Sequence, residues 1–363
     1  MDIKQLLTHA TDAGASDVFL CTGLPLTYKI NGQLVPASKK PLKPADAEHF
    51  VREIYGLCKD RTYEEYTERG DDDFSFAIPG VSRYRACTYK QRGTDAAVIR
   101  LISFGLPNPK EMGIPDTILN LANLKKGMIL VTGPAGSGKS TTMACMIDRI
   151  NETRNSHIIT LEDPLEQLHH HKKSIVSQRE VGTDTKDYVT ALRAALRQSP
   201  DVILLGEMRD YETISVAMTA AETGHLIFST MHSMTAADTI DRVIDAFPPA
   251  QQKQIAVQLS MCLGAIISQQ LLPAADGTHQ VPAFELLTVN PALRNMIREN
   301  KTHQISGQVY SSNRPDLFSM YTYLFNLVKD GIITVKTGYN HATNQVMFQK
   351  KLANAGIKLP DKA

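Results

Sequence analysis

Gly133, Pro134, Ala135, Gly136, Ser137, Gly138, Lys139 and Ser140 fit the pattern G-x-x-x-x-G-K-[ST], and nothing else in the 363 residues constrains the fold as tightly. An apolar run at 128–131 precedes the motif and a helical pattern starts at Lys139. In that order, strand, glycine-rich turn and helix aim several backbone N–H groups into one concavity, with the positive end of the helix behind it. Phosphate oxygens suit such a concavity. Lys139 is long enough to reach the β- and γ-phosphates of ATP, and the Ser140 hydroxyl is placed to ligate Mg²⁺. The loop therefore implies an α/β sheet with a nucleotide at the end of one strand.

Three more apolar runs, at 157–161, 202–205 and 226–230, alternate with helical stretches after the loop. Continuous apolar strands separated by helices predict a parallel sheet covered on both faces. From about Pro249 the expectation is mostly helix with one strand at 283–287, and the end of the chain, 353–363, reads as frayed. Before the loop the pattern differs. Helices are expected from Ile3 to about Gly14, from Pro44 and from near Asp60. Short strands are expected at 17–21, 26–30 and 34–35 around an Asn31-Gly32 turn, then at 73–78, 83–89 and 96–102. Pro107-Asn108-Pro109 resets the chain, so the reading is two domains, 1–108 and 109–363.

Strand ends on one edge of a parallel sheet share a crevice, so the residues just after each apolar run are the candidates for chemistry. After 202–205 comes Gly206 and then Glu207, a carboxylate placed to orient and deprotonate a water attacking the γ-phosphate. Asp210 reads as the cap of the next helix. Glu162 and Asp163 leave the strand 157–161 just before Pro164. His225 and His232 bracket the strand 226–230; no further ligands stand at zinc spacing, so they read as phosphate sensors or, for His225, a core histidine. Histidines 169–171 lie in a polar loop beside Lys172 and Lys173.

Several arginines remain. Arg83 and Arg85 share one strand face, and Arg100 lies across the hairpin from them. Such a face is either solvated or presented to an anion, for which a neighbouring subunit's phosphate is the sharper choice. Arg193 and Arg197, spaced i, i+4 on a helix expected at 187–198, raise the same question. So do Arg294 and Arg298, opposite an apolar side of Leu293, Met296 and Ile297.

Composition narrows the classes. Lys plus Arg is 39 against 38 for Asp plus Glu, a net charge of +1, and Trp is absent. Binding nucleic acid needs a basic stripe with aromatic platforms, so that role is disfavoured. Five scattered cysteines form neither a disulfide framework nor a zinc knuckle, and a reducing compartment fits. The start lacks the shape of a signal peptide, and the longest apolar stretch, 255–272, is broken by Gln258, Ser260, Ser268, Gln269 and Gln270.

Taken together, 133–141, the Ile159-Thr-Leu-Glu-Asp-Pro-Leu-Glu166 run, Ala191-Leu-Arg-Ala-Ala-Leu-Arg-Gln198, 202–210 and 223–233 resemble the Walker A, Asp box, Walker B and His box of the secretion-superfamily ATPases. The opening Met-Asp-Ile and the Gln178-Arg-Glu-Val181 stretch extend the likeness from Met1 to about Glu299. Ala292-Leu-Arg-Asn-Met-Ile-Arg-Glu299 resembles the AIRNLIRE motif of the type IV pilus retraction ATPases. That resemblance implies a PAS-like N-terminal α/β domain and a RecA-like P-loop ATPase core with a helical C-terminal region. It implies a cytoplasmic homohexamer, peripheral at the inner membrane through a pilus platform protein, with ATP and Mg²⁺ as cofactors. Family roles fall on Gly133 to Thr141 for the nucleotide, and on Lys139, Ser140, Glu162, Glu207, His225 and His232. Arg85 and Arg100 take the part of the paired N-terminal arginines. The expected function is an ATP-driven motor of pilus retraction and twitching motility. Assembly, secretion or conjugation ATPases of the same superfamily are the alternative, although extension motors carry a tetracysteine insertion and only Cys262 stands after the P-loop helix here. A nucleic-acid-dependent RecA-like ATPase is the alternative from another class. Beyond Glu299 the sequence departs from the family, with Tyr310-Ser-Ser-Asn-Arg-Pro-Asp-Leu-Phe-Ser-Met320 where Gln-Thr-Gly and Gly-Met-x-Thr segments are usual.

Overall fold

The computed structural model describes residues 2–30, 32–58, 61–102, 106–312 and 314–358. Asn31 of the expected turn, the expected helix start near Asp60, Met1 of the opening motif, Asn313 of the divergent stretch and the closing residues 359–363 lie outside them. The chain divides into two compact units, Met1–Gly105 with Pro164–Leu168, and Leu106–Asp163 with His169–Ala363.

The first unit opens on the helix Ile3–Asp12, started by a capping box in which Asp2 accepts the Gln5 N–H and Gln5 accepts that of Asp2. Six strands succeed it: β1 (Asp17–Cys21), β2 (Pro25–Ile30), β3 (Gln33–Pro41), β4 (Asp71–Ile78), β5 (Ser82–Gln91) and β6 (Thr94–Ile102). They form one antiparallel sheet, β3-β2-β1-β6-β5-β4, two meanders joined through β1 and β6. The helices Pro44–Tyr55 and Tyr63–Arg69 complete the unit, and Leu6, Leu7, Val18, Ile54, Tyr66 and Ile99 make its core. Asp95 is buried inside it, taking hydrogen bonds from the Tyr63 and Tyr66 hydroxyls at 2.6 and 3.1 Å and an ion pair from Lys90 at 2.5 Å.

The second unit is built on eight strands. They are β7 (Gly127–Thr132), β8 (His157–Glu162), β9 (Ile175–Glu180), β10 (Val202–Leu205), β11 (Leu226–Met231), β12 (Leu263–Pro273), β13 (Gln280–Thr288) and β14 (Leu317–Phe318). The sheet order is β14-β13-β12-β7-β11-β10-β8-β9, parallel from β12 to β9, with β13 and β14 antiparallel. Alternate residues of each parallel strand enter different cores. Leu130, Leu161, Leu205 and Ile227 pack on one face and Ile129, Val131, Ile158 and Phe228 on the other. That double burial is why these strands read as continuous apolar runs.

Several expectations need correction. Strands do not stop at Pro249. The stretch 255–272 is the end of the helix Pro249–Cys262 joined to β12, which pairs directly with β7. Its polar residues are legible in sequence only as interruptions. Ser268, Gln269 and Gln270 are in fact buried, where the strand end meets other polar groups. The strand β9 has no counterpart among the expected elements, and β3 runs to Pro41 rather than Val35. The helix expected at 187–198 is Tyr188–Ala195; Ser199 turns with φ +52° before Pro200, so Arg197 lies past the helix and the i, i+4 pairing with Arg193 fails. Arg193 instead pairs with Glu212 at 2.8 Å. On the helix Pro291–Arg298, Leu293 and Ile297 are buried as expected, but Arg294 donates to the carbonyls of Ser260 and Met261 at 2.6 and 2.8 Å. It closes the end of the helix Pro249–Cys262 rather than facing outward like Arg298.

Among the C-terminal elements, Glu285 of β13 accepts backbone N–H groups from Ala236 and Met320 at 3.0 and 3.3 Å. One buried carboxylate thus holds the first turns of the helices Ala236–Asp245 and Met320–Lys329. No helix among the described residues is long and apolar enough to cross a membrane.

Candidate active site

β7 is buried along its whole length and ends at Thr132, where the chain must turn sharply into the helix Lys139–Thr153. Glycine is required at two points of that turn. Gly133 adopts φ +142°, and a Cβ there would lie 2.2 Å from the Gln269 carbonyl oxygen. Gly138 adopts φ +84°, and its Cβ would lie 2.9 Å from Gln269 Nε2. Pro134, Ala135 and Gly136 form the exposed crown of the loop, while Ser137 is buried beneath it and its Oγ has no partner among the described residues. Lys139 is 8% exposed and folds back so that Nζ donates to the carbonyls of Gly133 and Pro134 at 3.0 and 2.8 Å. Ser140 and Thr141, both half-buried, occupy the first turn of the helix.

Because β12, β7, β11, β10 and β8 are parallel, the residues just past β7, β8, β10 and β11 gather on the edge where the glycine loop lies. Glu162 is the last residue of β8 and accepts the Thr160 hydroxyl at 2.6 Å. Gly206 comes directly after β10, its N–H bound to the Leu161 carbonyl at 2.8 Å and its carbonyl to the Thr230 hydroxyl at 2.5 Å. Glu207 is next, and its Oε2 lies 2.7 Å from Arg209 Nε and 3.5 Å from His232 Nε2. His232 comes directly after β11 and is tied to the base of the glycine loop through its neighbour Ser233, whose carbonyl accepts the Thr132 hydroxyl at 2.6 Å. Asp210 caps the helix Tyr211–Glu222 through the Thr213 N–H at 2.9 Å, the structural part expected of it.

The structure thus brings Lys139, Ser140, Glu162, Glu207 and His232 to one edge. His225 is elsewhere. It precedes β11, level with the start of β7, its carbonyl accepting the Gly127 N–H at 3.0 Å, and its Nδ1 lies 2.9 Å from the Ala220 carbonyl oxygen. A six-residue strand separates it from His232 by roughly 20 Å. In the first unit, Arg85 and Arg100 are direct cross-strand partners. Arg85 grips Asp73 with two nitrogens at 2.8 and 2.5 Å, and Arg100 Nε reaches Asp17 at 3.1 Å. The Arg85 hydrogen bonds hold the Asp73 carboxyl below the usual range. Of the histidine loop, His171 accepts the Val176 N–H and burial pushes His169 down to about 4. No metal-holding group of three His, Cys, Asp or Glu side chains forms among the described residues.

Three residues of this edge escape a reading by sequence. Arg209 stands inside the 202–210 run with no role that its position alone assigns. Tyr188 brings its hydroxyl to 2.7 Å from where a Gly206 Cβ would sit. Burial, then the carboxylates of Asp163, Glu207 and Glu162, push that phenol above its ordinary range. Gln269 underlies the glycine loop from a strand more than a hundred residues away in sequence, where no local signal marks it.

A phosphate-cradling loop facing two glutamates and a histidine across parallel strand ends defines a class, nucleotide-hydrolysing P-loop proteins. Within it, residues 1–321 match the family of type II/IV secretion system proteins, and the chain belongs to that family. Relatives specify further. It is 41% identical over 334 residues to the type IV pilus retraction ATPase PilT of Pseudomonas aeruginosa, covering 92% of this chain and 96% of that one. It is 43% identical to a twitching motility protein of Neisseria gonorrhoeae, covering 92% and 88%. The crystal structure of the pilus retraction motor PilT with bound ADP superposes with a TM-score of 0.86 at 45% identity, covering 96% of this chain and 99% of that one.

Proposed function

We propose that this chain is an ATP-hydrolysing motor that powers type IV pilus retraction, working as a cytoplasmic homohexamer at the inner membrane through a pilus platform protein. The observation that carries the reading is the meeting of the glycine loop with Glu207, His232 and Glu162, in a chain 41% identical to PilT. The loop fits a phosphate chain on its own geometry: a turn whose Gly133 and Gly138 pack against β12 with no room for a side chain, and the buried Ser137 hydroxyl left for a ligand. Bound ATP would supply the phosphoanhydride whose cleavage is the energy source, and Mg²⁺, which the Ser140 hydroxyl would hold, would supply positive charge to offset that of the phosphates.

The chain's own groups then have separable parts. Gly133, Pro134, Ala135, Gly136, Ser137 and Gly138 form the loop that turns backbone N–H groups to the phosphates, Lys139 compensates phosphate charge, and Ser140 holds Mg²⁺, with Thr141 completing the helix turn. Glu207 takes the proton of the attacking water, and Glu162 orients water or metal beside it. His232, next to Glu207, senses the γ-phosphate. We assign Arg85 and Arg100 to a neighbouring subunit's nucleotide, where planar guanidinium groups match the charge spread over phosphoryl oxygens. Asp73 and Asp17 pre-orient them for that role. His225, expected as a phosphate sensor or a core histidine, lies remote from its own glycine loop, and its bonds to Ala220 and Gly127 favour the core part. We read the first unit as PAS-like and the second as RecA-like, and place the division between residues 108 and 109.

The test of the reading is pilus number and length in cells lacking the protein. Abundant pili that do not retract are expected. Bald cells would contradict retraction and favour an assembly motor.

A further inference from the structure

Gln269 is 3% exposed and sits one residue past Ser268, which pairs with Thr132 at the end of β7. It therefore lies directly under the glycine loop and touches it at both ends. Its backbone carbonyl oxygen is the atom that excludes any side chain at Gly133. Its carboxamide oxygen accepts the Thr142 hydroxyl at 2.8 Å, from the first turns of the helix that leaves the loop. With the oxygen so fixed, the amide nitrogen is turned the other way, toward Gly138, 2.9 Å from the point where a Cβ would sit. A buried primary amide is a costly group to place under a loop whose needs an aliphatic residue could fill by packing alone. Its nitrogen thus lies against Gly138, the residue that ends the loop just before Lys139.

Resting on the reading of this loop as a nucleotide site, we propose that Gln269 is a further phosphate-binding residue, its side-chain N–H donating to the nucleotide's phosphate chain from β12. The Thr142 bond orients the donor. β12 thereby becomes part of the nucleotide site. It is also the strand that carries β13, so a ligand contact at Gln269 connects the loop to the C-terminal helices held by Glu285.

Equilibrium binding of a fluorescent ADP analogue, mant-ADP with Mg²⁺, to the full chain tests this. Gln269→Glu is the same size and still accepts the Thr142 hydroxyl, but it replaces the donor with a carboxylate. Expected is a loss of about tenfold or more in affinity at pH 8, the scale of one hydrogen bond to a charged group, with the gap to wild type narrowing as the pH falls and the carboxylate protonates. A residue that only props the loop gives equal affinities and no such pH dependence, which overturns the proposal. Gln269→Met, unbranched and without a donor, guards against misfolding of the charged variant. It is expected to lose a similar factor at every pH, and wild-type affinity in this variant also overturns the proposal. Lys139→Ala separates the two readings. If wild type binds, Lys139→Ala does not and the Gln269 variants match wild type, the loop assignment stands and the Gln269 proposal falls. If wild type itself fails to bind mant-ADP, both fall together.

Discussion

Gly206 stands where a strand-ending acid is usual in nucleotide-hydrolysing sheets, and Tyr188 supplies the reason that side chains are excluded there. A methyl group at that position would meet the Tyr188 hydroxyl at 2.7 Å and displace Glu207, the next residue. Gly206→Ala is expected to lower kcat roughly 10- to 100-fold, the cost of misplacing a catalytic group by about 1 Å, with nucleotide affinity little changed. Gly206→Ala combined with Tyr188→Phe, which removes the colliding oxygen, recovers part of that loss; a double variant no better than the single would rule out this contact. Asp95 carries a different kind of test. Burial raises its carboxyl, but hydrogen bonds from Lys90, Tyr63 and Tyr66 outweigh it and hold the group below its ordinary value. Its contribution to stability is therefore present above about pH 4, the unfolded carboxyl range, and is lost as pH falls through the lower folded value. Asp95→Asn should destabilise the fold by roughly 1–3 kcal/mol at pH 7 and narrow its gap to wild type in acid, as followed by urea unfolding across pH. At this scale the site is half legible in sequence. Lys139, Glu207 and His232 stand in contiguous motifs, whereas Tyr188 and Gln269 matter through contacts made only when distant strands pair.

Elements are legible where both faces of a strand are apolar. β7, β8, β10 and β11 read straight from sequence because each residue enters one of two cores. β12 fails that test for a physical reason, since Gln269 answers to the glycine loop rather than to either core and the buried Ser268 beside it is polar too. The antiparallel first unit is readable from alternation, but its paired charges are not. Asp17 opposes Arg100 only once β1 is registered against β6. The same holds for Arg294, a cation at the end of the helix Pro249–Cys262. Arg294→Ala is expected to cost roughly 1.5–3 kcal/mol, the scale of hydrogen bonds to a charged group, with a lowered Tm. Arg298→Ala, from the exposed side of the helix Pro291–Arg298 that also carries Arg294, should leave Tm within a degree or so of wild type while impairing retraction. Equal stability loss in both variants would remove the distinction between a capping and a coupling arginine.

At the scale of the whole molecule, the proposed roles make hydrolysis depend on a neighbour. Arg85 and Arg100 belong to the first unit and the glycine loop to the second, each with its own core. If the arginines act in trans, mixing an Arg85→Ala, Arg100→Ala protein with a Glu207→Gln protein restores some activity, because certain interfaces then join an intact Glu207 to an intact pair. Turnover per subunit that is independent of protein concentration would argue against that dependence. Beneath it lies the claim that ATP is hydrolysed at the edge where the glycine loop meets Glu207, and one comparison tests it most directly. Mant-ATP binding and steady-state phosphate release are measured on the same preparations of wild type and Glu207→Gln. The variant keeps the shape of the side chain between Arg209 and His232 but cannot take a proton. Near-equal binding is predicted, with hydrolysis lowered by about 10²-fold or more; phosphate release close to wild type in Glu207→Gln would contradict the assignment.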